Sequence, residues 1–254
     1  MFHLIKYPAA IGELSAYVSP DPGDGKKHPV IIWLVGGFAN SIGAIAWQKG
    51  RPQNDQSAAV FREAGLLMMY PSLRGGNNNP GFKEGFFGEV DDVMAAAEYL
   101  SHLDYIDPRR IYLGGHSTGG TLALLVAEST NRFRAIFAFG PVANVEGYGA
   151  EYLPFKMTAA SELELRAPIK WLPSIKSPAY VFEGTGPRGN ITSVRAMAKA
   201  NHNVNVQFYP VVGVDHFSII QPVSQLIAAK ILADTAPVAD IHFTGQELSD
   251  SLGK

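Results

Sequence analysis

The residues with the clearest chemical potential are the five from Gly115 to Gly119, which read G-x-S-x-G. They follow a short apolar run at 111–113 and precede a stretch of helical character at 121–128. A serine placed between a strand and a helix sits on a sharp, strained turn, so its neighbours must be small. That turn holds the hydroxyl clear of the backbone at the carboxyl edge of a sheet. The pattern therefore predicts a nucleophile elbow, with Ser117 as the attacking residue.

A serine hydroxyl at neutral pH needs a general base within hydrogen-bond reach. When the serine lies on such an elbow, the base histidine follows both the serine and the acid in the chain. Of the seven histidines, His216 and His242 lie C-terminal to His202. His242 belongs to a polar tail, whereas His216 lies between the last predicted strand and the last predicted helix. His216 is therefore the predicted base.

The acid that would orient this histidine is less obvious, because no aspartate occurs between the serine and Val214. Glu183 follows the strand predicted at 179–182, and Glu146 follows the preceding strand. A carboxylate can reach the base from either position. Glu183 is the predicted acid, and Glu146 and Asn190 stay open as alternatives. The neutral amide of Asn190 would orient the imidazole but stabilise its cation much less.

Acyl transfer also requires two backbone N–H groups that face the oxygen on which negative charge develops. The amide of Thr118, the residue after the nucleophile, is the first predicted donor. The second belongs to the glycine-rich loop after the buried strand predicted at 30–35, where two glycines let the backbone approach a substrate closely. Phe38 is the predicted donor in this loop, and Gly37 is the alternative.

Strand-length apolar runs alternate with helical patterns, which predicts a mostly parallel sheet with helices on both faces. The segment 151–176 fits neither class and is predicted to form a small cap over the carboxyl edge. The tail from Ala236 onward is polar and is expected to pack loosely. The predicted strands lie at 14–18, 30–35, 66–70, 110–113, 135–139, 179–182 and 204–209, and the predicted helices at 54–63, 89–103, 121–128, 191–200 and 223–232.

Three side chains are predicted to contact substrate. Arg74 follows a strand and begins a loop rich in glycine and asparagine, where its guanidinium could bind a carboxylate bidentately. Pairing of Arg74 with Glu84 or Glu89 is the structural alternative. Tyr148 and Trp171 lie in the region of the predicted cap and could line an apolar pocket, although packing of the cap would use the same aromatic rings.

The overall composition excludes several classes of function. The chain has 254 residues, of which 46% are hydrophobic and 17% are charged, and this predicts a single domain over 1–254. The net charge of −2 gives no basic surface for nucleic acid. The absence of cysteine excludes disulfides, a catalytic thiol and thiolate metal sites. Without a membrane-length apolar run or a secretory signal pattern, we expect a cytoplasmic protein with no membrane contact.

Five segments in order resemble the α/β-hydrolase superfamily, specifically its prolyl oligopeptidase-like catalytic domains, which include dienelactone hydrolase-like members. They are residues 34–38, 70–76, 107–111, 114–120 and 213–217, and the Asp-Pro-Arg-Arg-Ile sequence at 107–111 is the most distinctive. The resemblance covers nearly the whole chain. It implies an α/β-hydrolase fold with an eight-stranded sheet, and acyl transfer through Ser117 with His216 as base.

The chain departs from this pattern in its length, in the oxyanion loop and in the missing aspartate. It is too short to add a β-propeller to the catalytic domain, and Val35 or Gly36 stands where a histidine is usual. The predicted function is a serine hydrolase that cleaves a small-molecule ester or a short peptide without a metal or organic cofactor. The missing aspartate leaves a rival interpretation, a weak or inactive hydrolase-fold protein that binds a ligand or partner. A nucleotide-binding domain is disfavoured, because no phosphate-loop lysine follows the glycines.

Overall fold

One eight-stranded sheet organises residues 2–253, the part of the chain that the computed structural model describes. The strand order is β1-β2-β4-β3-β5-β6-β7-β8, in which β2 is antiparallel to β1 and β4 and the other neighbours are parallel. The predicted mostly parallel eight-stranded sheet is confirmed. The strands are β1 (His3–Ala9), β2 (Gly12–Val18), β3 (His28–Leu34), β4 (Leu67–Pro71), β5 (Ile106–His116), β6 (Ile136–Phe139), β7 (Ala179–Gly184) and β8 (Val206–Val211).

The helices cover both faces of this sheet. They are α1 (Val60–Glu63), α2 (Gly88–Ser101), α3 (Thr118–Ser129), α4 (Ala160–Leu165), α5 (Pro168–Trp171), α6 (Ile191–Ala200), α7 (Ile220–Ala233) and α8 (Gly245–Ser251). Single turns of 3-10 helix lie at 44–46, 52–54, 145–148, 150–152 and 172–174. Buried residues of α2, α3 and α6 share one hydrophobic core, and those of α1, α7 and α8 share the other. No helix between residues 2 and 253 has both the length and the apolar character needed to cross a bilayer.

The alternation of side chains along β3 shows why its sequence is an uninterrupted apolar run. Ile32 and Leu34 enter the core beneath α2 and α3, whereas Ile31 and Trp33 enter the core beneath α1 and α7. Successive strand residues point to opposite faces, so a strand covered on both sides must be apolar at every position. This double burial places the carboxyl end of β3, and the loop that follows it, at a fixed point of the sheet edge.

Two local predictions are wrong. The helix predicted over 54–63 begins only at Val60, because the Asp55 carboxylate accepts hydrogen bonds from the amides of Ser57 and Ala59 and holds a turn there. The tail from Ala236 is packed rather than loose, since it contains α8 and buries Phe243 in the second core. A capping box between Thr244 and Glu247 begins that helix, and a serine- or threonine-to-glutamate spacing of this kind is visible in the sequence.

A buried ion pair also anchors the end of α7 to the sheet. Asp234 accepts hydrogen bonds from Arg134 and, at 2.7 Å, from the Tyr112 hydroxyl. The side chain of Asp234 is fully buried and that of Arg134 is 7% exposed. Burial raises the pKa of Asp234, but the hydrogen bonds from Arg134 and Tyr112 outweigh burial and hold that pKa below its ordinary value. The pair therefore stabilises the fold above the ordinary aspartate pKa and loses this contribution as the pH falls.

We expect Asp234→Asn to lower the free energy of unfolding by about 3 kcal/mol at neutral pH, because it leaves a buried guanidinium without its counter-charge. The difference from wild type should shrink as the pH falls below about 4, where the wild-type carboxylate takes up a proton. Urea unfolding at pH 7 and in the acidic range measures both effects. Asp240→Asn is the matched control, because the Asp240 side chain is 84% exposed. Equal destabilisation by the two substitutions would contradict the prediction.

Candidate active site

Ser117 occupies the turn between β5 and α3 in a strained backbone conformation, with φ at 56° and ψ at −115°. Residues with a side chain rarely adopt a positive φ, and such strain concentrates at functional turns. The Ser117 amide donates to the Phe139 carbonyl at 2.7 Å, which ties the turn to the end of β6. A Cβ on Gly115 would collide with the Gly119 carbonyl, and a Cβ on Gly119 would collide with the Leu34 carbonyl. The G-x-S-x-G spacing is therefore a steric requirement of this turn.

His216 and Glu183 form a direct pair at the same edge of the sheet. Nδ1 of His216, in the loop after β8, lies 3.0 and 3.2 Å from the two carboxylate oxygens of Glu183 in β7. Glu183 is fully buried and His216 is 6% exposed. Because a carboxylate only accepts hydrogen bonds, Nδ1 carries the hydrogen and Nε2 keeps the lone pair. Within residues 2–253, Nε2 of His216 has no hydrogen-bond partner, so it is available to take a proton.

The three residues that the sequence analysis considered as partners of the His216 imidazole are Glu183, Glu146 and Asn190, and they occupy different places around this pair. The Asn190 amide donates to Oε1 of Glu183 at 2.7 Å, and its side-chain Nδ2 donates to the Gly140 carbonyl, also at 2.7 Å. Asn190 thus holds the carboxylate of Glu183 instead of contacting the imidazole. Glu146 is exposed in the 3-10 turn at 145–148, and its carboxylate makes no hydrogen bond to a described residue. Of the three, Glu183 is the one in contact with His216.

Gly140 shows how close the elbow lies to the histidine and glutamate. It directly follows Phe139, the hydrogen-bond partner of Ser117, and its own amide donates to the Phe182 carbonyl at 2.8 Å. A Cβ on Gly140 would lie 2.5 Å from Cε1 of His216 and 2.6 Å from Oε2 of Glu183. The ends of β5, β6, β7 and β8 therefore bring the serine, the imidazole and the carboxylate to one stretch of the sheet edge.

We expect Gly140→Ala to lower kcat at least about tenfold, since displacing a catalytic group by about 1 Å can cost about 100-fold. The added methyl would push the imidazole away from the carboxylate, and the φ of 56° at Gly140 would strain the alanine backbone. Gly147→Ala is the matched control, because the atom nearest to its added methyl would be a Val142 carbon 3.6 Å away. Steady-state kinetics of both variants test this prediction, and equal rates for the two variants would contradict it.

His116, the residue before the nucleophile, contributes a contact that the sequence analysis did not assign. It is fully buried, its Nε2 lies 2.8 Å from the His216 carbonyl oxygen, and the two rings are 4.4 Å apart. Burial, and then the neighbouring His216, lower the pKa of His116 to about 3, so its imidazole is neutral at pH 7. A carbonyl only accepts, so Nε2 of His116 is the donor. His116 thereby fastens the loop that carries His216 to the elbow.

The predicted oxyanion donors lie on adjoining segments. Oγ1 of Thr118 donates to the Gly37 carbonyl at 2.5 Å and so fixes the loop after β3 against the start of α3. Gly37 adopts a φ of 104°, which a residue with a side chain rarely adopts. The backbone amides of Phe38 and Thr118 donate a hydrogen bond to no group among residues 2–253. Both N–H groups are therefore free to bind a developing oxyanion.

Tyr148 lies beside this loop. Its hydroxyl is 2.6 Å from Oγ1 of Thr121, and its ring meets the Phe38 ring edge to face at 5.3 Å and stacks on Phe86 at 5.6 Å. Tyr152 stacks on the Phe38 ring at 4.1 Å. Burial raises the pKa of Tyr148 well above its ordinary value, so the phenol stays neutral. These rings form an apolar wall next to the predicted oxyanion donors.

The other two predicted substrate contacts lie elsewhere. The prediction for Arg74 is wrong, because its buried guanidinium is occupied by Asp92, at 2.8 Å, and by Glu84. Arg74 therefore pairs with Glu84, one of the two glutamates that the structural alternative named. Glu89, the other one, accepts hydrogen bonds from backbone amides in the same loop. Trp171 donates to the Glu164 carbonyl and lines a cleft between α2 and α3, so the structure does not bring it to Ser117. Among the described residues, no group of three or more His, Cys, Asp or Glu side chains is arranged to hold a metal ion.

Comparison with known proteins identifies similar sequences and folds. The sequence model of the prolyl oligopeptidase family matches residues 52–165. The chain is 24% identical over 223 residues to the acylamino-acid-releasing enzyme of Rattus norvegicus. This alignment covers 75% of this chain and 29% of that protein. The chain therefore spans less than a third of the length of this curated relative.

Solved structures share the fold. A puromycin hydrolase superposes with a TM-score of 0.73 at 19% identity, covering 95% of this chain and 40% of that one. The esterase Pf2001 of Pyrococcus furiosus superposes with a TM-score of 0.65 at 16% identity, covering 98% of this chain and 92% of that one. The predicted α/β-hydrolase fold and the resemblance to the prolyl oligopeptidase-like branch are confirmed.

Proposed function

We propose that this chain, with an α/β-hydrolase fold similar to the prolyl oligopeptidase-like catalytic domains, is a serine hydrolase that forms an acyl-enzyme on Ser117. The observation that carries the proposal is the contact of His216 with the buried Glu183 carboxylate, at the sheet edge where the strained elbow presents Ser117. A nucleophile, a base and a group that orients the base are the elements that acyl transfer requires.

In the proposed reaction, Oγ of Ser117 attacks the carbonyl carbon of the substrate while Nε2 of His216 accepts the hydroxyl proton. Glu183 holds the proton on Nδ1 and stabilises the imidazolium that forms. The amides of Phe38 and Thr118 bind the oxyanion of the tetrahedral intermediate, and each such donor contributes about 3 kcal/mol. His216 then gives its proton to the leaving group. Water, activated by the same histidine, releases the acyl group from Ser117.

We propose a small-molecule ester or a short peptide as substrate. Similar proteins carry the names acylamino-acid-releasing enzyme, puromycin hydrolase and esterase, so both amide and ester cleavage are represented among them. The aromatic wall of Phe38, Tyr148 and Tyr152 beside the oxyanion loop favours an apolar group next to the scissile bond. Rates on p-nitrophenyl esters of increasing acyl length, compared with aminoacyl p-nitroanilides, distinguish the two substrate classes.

A fluorophosphonate probe tests the proposal itself, because it reacts with a serine only when a base and an oxyanion site activate that serine. We expect it to label Ser117 in the folded protein and not in the urea-unfolded protein, with the site identified by peptide mass spectrometry. Absence of labelling in the folded protein, together with no turnover of either substrate class, would overturn the proposal.

The absence of both labelling and turnover would instead favour the rival function, a hydrolase-fold protein that binds a ligand without turning it over. The sequence basis for this rival was the missing aspartate. The contact between Glu183 and His216 supplies a carboxylate to the base and so supports the enzyme.

A further inference from the structure

The side chain of Thr118 makes a contact to which the proposed reaction gives no role. Thr118 begins α3 directly after Ser117, and its backbone amide is one of the two proposed oxyanion donors. Its hydroxyl donates to the Gly37 carbonyl at 2.5 Å, and Thr118 as a whole is 5% exposed. The hydrogen bond therefore joins the first residue of α3 to the loop that carries the second proposed donor, the amide of Phe38.

The Gly37 carbonyl and the Phe38 amide belong to one peptide group. A trans peptide group is planar, and its C=O and N–H point in opposite directions. No peptide bond in the described part of the chain is cis. A hydrogen bond that fixes the direction of the Gly37 carbonyl therefore also fixes the direction of the Phe38 N–H. The Thr118 hydroxyl thus acts on the second proposed donor without contacting it.

No other hydrogen bond within the described residues holds this peptide group. The Gly37 carbonyl accepts from Thr118 alone, and the Phe38 amide donates to no protein group. A Cβ on Gly37 would have no atom beyond its chain neighbours within 4 Å, so packing does not fix this position. The Phe38 ring contacts Tyr148 and Tyr152, but a peptide group can turn about the line between its two Cα atoms while the ring stays in place. The orientation of the Phe38 N–H therefore depends on the Thr118 hydroxyl.

We propose that Thr118 is a positioning residue for the oxyanion site, whose hydroxyl holds the Gly37–Phe38 peptide group so that the Phe38 N–H faces the substrate oxygen. The inference rests on the function proposed for Ser117. A misdirected Phe38 amide costs most in the tetrahedral intermediate, because the oxygen carries its full negative charge there and little in the bound substrate. Loss of the hydroxyl should therefore lower kcat and leave KM nearly unchanged.

Two pairs of proteins separate the hydroxyl from the shape of the side chain. Valine has nearly the shape of threonine without the hydroxyl, and alanine differs from serine by the same group. We expect kcat for p-nitrophenyl acetate to be at least about tenfold lower in Thr118→Val than in wild type, and at least about tenfold lower in Thr118→Ala than in Thr118→Ser. Within each pair KM should agree within about twofold.

A tetrahedral adduct gives a second measurement, which a merely structural role would not change. In a trifluoromethyl ketone, Oγ of Ser117 bonds to the carbonyl carbon, the π electron pair moves onto the oxygen, and His216 takes the hydroxyl proton. The adduct thus carries the oxyanion that the two amides are proposed to bind. We expect its inhibition constant to rise at least about tenfold in Thr118→Val, in parallel with the loss of kcat.

Thr130→Val, the same exchange at the other end of α3, is the matched control. The Thr130 hydroxyl accepts from the Arg132 amide and has no contact with the oxyanion loop. This variant should therefore keep the kcat and the inhibition constant of wild type. Urea unfolding of each variant shows whether a loss of rate has its origin in a loss of stability.

An active wild type whose kcat and inhibition constant change in neither pair would overturn the inference, and so would a loss that appears in KM instead of kcat. If Thr118→Val fails to fold, the comparison of alanine with serine decides the question. A wild-type chain that neither turns over esters nor reacts with the fluorophosphonate would overturn the proposed function and this inference with it. The wild-type protein alone therefore distinguishes the two failures.

Discussion

Ser117→Ala is expected to reduce kcat by at least about 10⁴-fold while the protein remains folded. The substitution removes the proposed nucleophile, and the remaining proposed oxyanion donors and substrate binding would supply only a residual rate enhancement over water. Alanine takes up the same backbone turn with a smaller side chain, so we expect little change in stability. Steady-state turnover of p-nitrophenyl acetate, fluorophosphonate labelling and urea unfolding measure the three consequences.

The matched control for this experiment is Ser101→Ala at the end of α2. The Ser101 hydroxyl donates to the Glu98 carbonyl and has no part in the proposed site, so its loss should leave turnover within about twofold. Substantial turnover by Ser117→Ala that survives a second purification would mean that another residue attacks the substrate. Loss of labelling without loss of turnover would lead to the same conclusion.

Glu183→Gln is expected to lower kcat by about 10²–10⁴-fold and to change KM little. The replacement amide presents an N–H₂ donor where Nδ1 of His216 needs an acceptor, so it favours the tautomer in which Nε2 carries the hydrogen and cannot act as base. It also removes the charge that stabilises the imidazolium. The Asn190 amide can still donate to the Oε1 of the glutamine, which helps to keep the loop in place.

Two further variants test whether the charge, the length and the position of the Glu183 side chain are each required. Glu183→Asp keeps the charge but shortens the side chain, so we expect activity between those of wild type and Glu183→Gln. Glu146→Gln changes the other glutamate that the sequence left open, and it should behave as wild type, because that carboxylate is exposed and makes no hydrogen bond to His216. A large loss in Glu146→Gln with wild-type turnover in Glu183→Gln would reverse the assignment of the acid.

The positions of the proposed nucleophile and base could be read from the sequence because their signals are local or follow chain order. Ser117 needs small neighbours at fixed spacings, and the contacts of Gly115 and Gly119 show that this requirement is steric. His216 stood out because it follows the last strand, and parallel strands bring their carboxyl ends to one edge. The sheet itself was predictable from apolar runs that are buried on both faces, of which β3 is the example.

The partners of charged side chains could not be predicted in the same way. Asp92, which pairs with Arg74, lies in α2 one turn beyond Glu89, and the sequence analysis weighed only Glu84 and Glu89. The packing of the tail likewise depends on Phe243, which meets Tyr180 and Phe182 of β7 at about 5 Å. Such contacts arise only when distant segments meet, and a local pattern does not contain them.

The amino-acid sequence by itself determined the strand–turn–helix that presents Ser117, the parallel sheet beneath it and the position of His216 in chain order. The tertiary structure decided which carboxylate meets the imidazole, since Glu146, Glu183 and Asn190 all lie near one sheet edge and only one of them points at His216. It also decided that Arg74 is structural and that Trp171 lines a separate cleft with Glu128. The physical reason is the range of the interactions, because backbone sterics act between sequence neighbours, whereas side-chain pairing depends on which elements the fold packs together.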